Sequence, residues 1–165
     1  MRLKRFLMAA VLPVLVAGPA LAATCLQPAE RQAMEARALR SYLMVTALNC
    51  QKQSSYNDFV RRNMSELNNA DRVMDGYFRR AHGGAGRTRL DQYNTTLAND
   101  HSQDGTRAGS FFCRDADPLF QQVMALQPGQ LAKFSAERNV MASLDAPNCG
   151  AAVAAAPRSA GAARR

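Results

Sequence analysis

From Pro28 to Cys50 the chain has no glycine and no internal proline, and Met34, Ala38, Leu39, Tyr42, Leu43, Thr46 and Cys50 recur at steps of three and four. That period predicts an amphipathic helix of about six turns. The polar stretch Gln51 to Ser55 ends it and offers Ser54 or Ser55 as the cap of the next helix. Phe59, Val60, Met64, Leu67, Ala70, Met74, Tyr77, Phe78 and Ala81 then share one face, with Arg61, Arg62, Glu66, Asp71, Asp75 and Arg79 over much of the rest. One long surface helix follows from this pattern, ending at His82-Gly83-Gly84-Ala85-Gly86, where glycine can take the positive φ that stops a helix.

Leu90, Tyr93, Leu97 and His101 continue the helical period in a third segment, with Thr88 a candidate cap. Gly105 and Gly109 weaken its later part, so a break is expected before Phe111, Phe112 and Cys113. Asp117-Pro118 has the form of a cap followed by a first-turn proline, opening a short helix through Leu119, Phe120, Val123, Met124 and Leu126 that Pro128-Gly129 closes. Leu131 to Arg138 can add a last short helix with Leu131 and Phe134 on the core, and Asn139 to Cys149 is irregular. The chain lacks Trp and leans on Ala, Leu, Val and Met, which favours helices over sheets. The expected fold is all-α, a small bundle of four to five helices.

The start of the chain has a different grammar. Arg2, Lys4 and Arg5 precede an apolar run from Phe6 to Ala17 and a small-x-small site at Ala20-Leu21-Ala22, the pattern of a secretory signal peptide over residues 1–22. The apolar run is too short to span a bilayer, so cleavage is expected and no transmembrane segment should remain. A lipid anchor at Cys25 is disfavoured because Thr24 stands where Gly, Ala or Ser is needed. The helical domain should occupy residues 23–149. The remaining stretch, 150–165, consists of Ala, Gly, Pro, Ser and Arg with Val153, too little apolar area to offset ordering, so a disordered tail is expected.

That address changes the meaning of the four cysteines. Cys25, Cys50, Cys113 and Cys149 are an even set in an oxidising compartment, without the Cys-x-x-Cys spacing of a zinc ribbon, redox pair or haem attachment site. If the first three helices run up, down and up, Cys50 and Cys113 lie at one end of the bundle. Cys25 would then join Cys149 at the other.

Charge alters the picture less than its total suggests. The net +8 is concentrated outside the domain: three basic residues sit in the leader and Arg158, Arg164 and Arg165 in the tail, leaving 15 basic against 13 acidic residues between Ala23 and Cys149. A nucleic-acid partner is not expected from such a body. The densest polar cluster is Arg79, Arg80, His82, Arg87 and Arg89 around the glycine turn, a candidate site for phosphate or carboxylate, although arginine near a helix C-terminus is favoured without any ligand. His82 and His101, the only histidines, could be imagined binding metal with Asp71, Asp75 or Asp100, but no ligand spacing supports it. No serine stands in a nucleophile elbow, and the methionines are scattered at core-type positions rather than clustered for copper. No catalytic residue, cofactor or metal is expected.

The run Leu39-Arg40-Ser41-Tyr42-Leu43-Met44-Val45-Thr46-Ala47-Leu48-Asn49-Cys50, followed by Tyr56-Asn57-Asp58-Phe59-Val60 and later Phe112-Cys113, resembles small uncharacterised exported proteins of Gram-negative bacteria over roughly residues 25 to 126. The resemblance implies an exported helical domain with one cysteine after the first helix and another after the third, and brings no catalytic residues. Together these readings predict a periplasmic or secreted, non-enzymatic protein that binds an envelope component or a protein partner. A small periplasmic enzyme with a site assembled from distant residues is the main alternative, and an envelope stress-protective protein a third. A deep pocket collecting His82 or His101 with two carboxylates would favour the enzyme, and solvated positions for both would favour the binder.

Overall fold

The computed structural model describes residues 24 to 150, so the leader and the tail after Gly150 lie outside the described residues. Seven α-helices follow in order: α1 (Pro28–Cys50), α2 (Gln53–Arg62), α3 (Met64–His82), α4 (Gly86–Ala108), α5 (Phe111–Arg114), α6 (Ala116–Ala125) and α7 (Leu131–Glu137), with a 3-10 turn at Gly83–Ala85 between α3 and α4. Five of the seven are ten residues or longer, and the only β-type pairing among the described residues is a single bridge between Leu26 and Asn148. The fold is all-α.

α1 is the axis of the bundle. Pro28 stands in its first turn, where a missing N–H is no loss, and the Gln27 N–H donates to Glu30 Oε2 at 2.8 Å. The amphipathic stripe expected for this helix is too narrow a description. Ala33, Met34, Ala36, Ala38, Leu39, Leu43, Val45, Thr46 and Ala47 are all buried, because α3, α4 and α7 pack around it and α2 and α6 cover its later turns. Its many alanines let those neighbours approach closely. Gln51, in the left-handed conformation at φ 57°, ends it.

The single helix expected over Phe59 to Ala81 is two. Asn63 Nδ2 donates to the Phe59 carbonyl at 2.9 Å, offering the backbone a local alternative, and α3 begins at the next residue. Other boundaries also differ from the pattern-based ones. α2 starts at Gln53 with no side-chain cap, so Ser54 and Ser55 lie inside it, and Thr88 lies inside α4. Asp115 rather than Asp117 precedes α6, placing Asp117-Pro118 in the first turn. In α7, Leu131 and Ser135 are buried while Phe134 is half-buried, and the amides of Gly129 and Leu131 donate to Glu66 across from α3.

Two disulfides close the fold, Cys25–Cys149 and Cys50–Cys113, with Cα separations of 5.0 and 5.2 Å. They lie at opposite ends of α1. No described helix is long and apolar enough to cross a membrane.

Candidate functional site

The arginine-flanked glycine turn turns out to be a helix–helix corner. Gly83 adopts φ 55°, and a Cβ on Gly86 would stand 2.7 Å from the Phe78 carbonyl oxygen, so these positions need glycine for α3 and α4 to meet. Arg79 pairs with Asp75 at 2.9 Å on the same helix. Arg80 reaches away from the turn to Glu30 Oε2 at 2.6 Å and to the Cys25 carbonyl at 2.9 Å, with its guanidinium over the Tyr77 ring. His82 stacks on Phe78, Arg89 donates to Gln92, and Arg87 is exposed. Arg79 and Arg80 thus bond to different carboxylates, and neither of the two cavities described below is lined by any of the five.

A cavity of about 330 Å³ lies elsewhere, beside the Cys50–Cys113 end, between α1, α4, α5, α6 and the segment after α7. Its wall combines Tyr42, Phe112, Leu119 and Val140 with Thr46, Asp104, Asp115 and Arg138. The local sequence explains the shape. Gly105 leaves room for the Phe112 ring, whose nearest carbon would lie 3.1 Å from an added Cβ. Tyr42 meets Phe112 and His101 edge to face, with ring centroids 6.0 and 5.5 Å apart. Gly109 at φ 56° turns the chain out of α4 so that Phe112 can fold back.

His101 forms the floor and is fully buried, one turn beyond Leu97 on the apolar row of α4. Its Nε2 lies 2.8 Å from the Met141 carbonyl oxygen, and its Nδ1 lies 3.1 Å from Ser41 Oγ. A carbonyl only accepts, so Nε2 carries the proton; in the neutral ring Nδ1 then accepts from the Ser41 hydroxyl. Burial lowers the His101 pKa against the opposing Met141 hydrogen bond and the charges of Asp104 and Asp100. Burial likewise raises the Tyr42 pKa, with Asp104 adding to the effect. Both residues are therefore neutral near pH 7. His101 shares the cavity with two carboxylates, pins the Met141 segment through Nε2, and keeps its one lone pair, on Nδ1, engaged by the Ser41 hydroxyl. Ser143 Oγ donating to Asp100 Oδ2 at 2.6 Å holds the same segment from its other side.

The other carboxylates considered for metal are dispersed: Asp71 lies between Arg37 and Arg40, Asp75 pairs with Arg79, and Asp100 accepts from Ser143. No group of three metal-binding side chains forms among the described residues. The period-four row Tyr93, Leu97, His101 was visible in the sequence and could have marked His101 as a buried histidine; the distant partners Tyr42, Phe112 and Val140 carried no such mark. No family model matches this chain, and neither a curated protein nor a solved structure matches it.

Proposed function

We propose that this is an exported, non-enzymatic binding protein of the periplasm or extracellular space, and that it holds a small amphipathic ligand with an aromatic part in the cavity floored by His101. One observation carries the reading: a concave site of about 330 Å³ whose wall combines aromatic and aliphatic side chains with an equal share of polar and charged ones, a size and composition suited to a small molecule. The signal-peptide pattern and the two crosslinks support export. The resemblance to small exported helical proteins of Gram-negative bacteria points the same way.

The enzyme reading is favoured by one specific feature, His101 beside Asp104 and Asp115. The basic nitrogen of His101, Nδ1, is directed at Ser41 Oγ, which lines a different cleft, rather than at a group inside this cavity. The neutral fluorophore N-phenyl-1-naphthylamine tests the binding reading. Saturable binding of one probe per chain is expected, with at least about a tenfold loss of affinity in Ala108→Trp. Ala108 is exposed at the cavity wall, so the larger ring obstructs the site while leaving stability within about 0.5 kcal/mol. Binding that is absent, or indifferent to Ala108→Trp, would overturn the proposal.

A further inference from the structure

A second cleft, of about 310 Å³, opens on another face of α1, where α2, α3 and α4 meet it, and its lining is charged in an unbalanced way. Arg37 Nη1 and Arg40 Nη1 bond to opposite oxygens of Asp71, so two guanidinium groups share a single carboxylate. Arg37 Nε also donates to Asn94 Oδ1 at 2.8 Å, which fixes the plane of that group. Tyr56 lines the cleft beside Arg40; burial works against the Arg40 charge, but Tyr56 and Asp71 together prevail and its pKa is raised.

Asp71 is the only carboxylate in the lining, so Arg37 and Arg40 leave one positive charge unmatched within it. Each guanidinium has five N–H donors, and Asp71 and Asn94 use only part of the set. The arginine side chains are only 20% and 35% exposed, so the surplus charge sits in a partly desolvated recess where an anion is attracted more strongly than at an open surface. Beside these donors lie Met44, Leu97 and Ala98, an apolar shelf within the same cleft.

We propose that this cleft binds a small amphiphilic anion, its carboxylate taken by Arg37 and Arg40 and its short apolar chain laid on Met44, Leu97 and Ala98. Planar guanidinium groups held by Asp71 and Asn94 are arranged before the ligand arrives, so little side-chain ordering remains to oppose binding. The site shares no lining residue with the cavity floored by His101, from which the Ser41–His101 contact divides it, and it does not depend on the function proposed for that cavity.

Isothermal titration of the mature protein with sodium octanoate tests this, with octylamine and inorganic phosphate as comparison probes. Octanoate should bind one per chain, and octylamine and phosphate should bind at least about tenfold more weakly. Arg40→Gln should weaken octanoate by at least about tenfold. Ala98→Glu, which adds a like charge at the shelf without touching the Arg37–Asp71 pair, should do the same. Ala108→Trp, at the other cavity, should leave octanoate unchanged. The proposal is overturned if octanoate does not bind the wild-type protein. It is equally overturned if binding survives both Arg40→Gln and Ala98→Glu, if phosphate or octylamine matches octanoate, or if only Ala108→Trp abolishes it.

Discussion

The two ends of α1 are both crosslinked, but they differ in how densely they are bonded beyond the disulfide. At the Cys25–Cys149 end, the Leu26 amide donates to Pro147 and the Cys149 amide donates back to Leu26, each at 2.8 Å. Arg31 bonds to Asn148 and Ala146, Arg80 bonds to Cys25 and Glu30, and Leu26 is fully buried. At the Cys50–Cys113 end, α5 is four residues long and buries none of them, Phe111 and Leu48 are largely exposed, and the His101 cavity adjoins Phe112. A disulfide added to a dense bond network makes that end rigid. At the other end it tethers α5, which buries no residue of its own, beside an open cavity and an exposed Lys52–Asp117 pair, so this end should open more readily.

The largest effect should come from removing the covalent links one at a time. The chain-entropy model gives about 5 kcal/mol for a loop spanning 124 residues and about 4 kcal/mol for one spanning 63, so Cys25→Ala/Cys149→Ala and Cys50→Ala/Cys113→Ala should destabilise similarly in urea titrations. The ends should differ in what is lost. The second pair should release mainly residues 109–116 and abolish N-phenyl-1-naphthylamine binding, while the first should retain the probe under conditions where the protein is folded. Retention of the probe by the second pair would erase the distinction.

A smaller effect separates packing at the two ends. Leu26→Ala removes a fully buried side chain and should cost about 2 to 5 kcal/mol, whereas Phe111→Ala, 61% exposed, should change stability by no more than about 0.5 kcal/mol. Equal losses in thermal denaturation would show that both ends are closed to the same degree.

Acid should sharpen the contrast further. His101 is held neutral by burial, with its folded pKa below the ordinary 6.5. The unfolded chain therefore binds more protons in the interval between the two values, and this contribution to stability is complete above about pH 6.5 and is lost as pH falls toward the folded pKa. His101→Asn should flatten the fall in melting temperature below about pH 6.5. An unchanged slope would remove His101 from the account.

Much of the framework was legible because it is periodic. The row Tyr93, Leu97 and His101, the face from Leu67 to Phe78 and the helix-direction argument for both cysteine pairs depend on spacing alone. What stayed hidden depends on convergence. Arg37 and Asp71 belong to different helices and resemble solvated charges in their own segments, and Tyr42, His101, Phe112 and Val140 come from four separate stretches. Asn63 hid the break between α2 and α3 because the apolar period continues across it. Conversely, the local density of Arg79, Arg80, Arg87 and Arg89 suggested a site, whereas Arg80 serves to tie α3 to the start of the domain.

Site-resolved hydrogen exchange of the oxidised protein tests the asymmetry most directly. The amides of Leu26 and Cys149 should exchange at least about a hundredfold more slowly than those of residues 109–115, and a saturating cavity ligand should slow the latter selectively. Comparable protection at both ends without ligand, or ligand-induced slowing centred on Leu26 and Cys149, would contradict it.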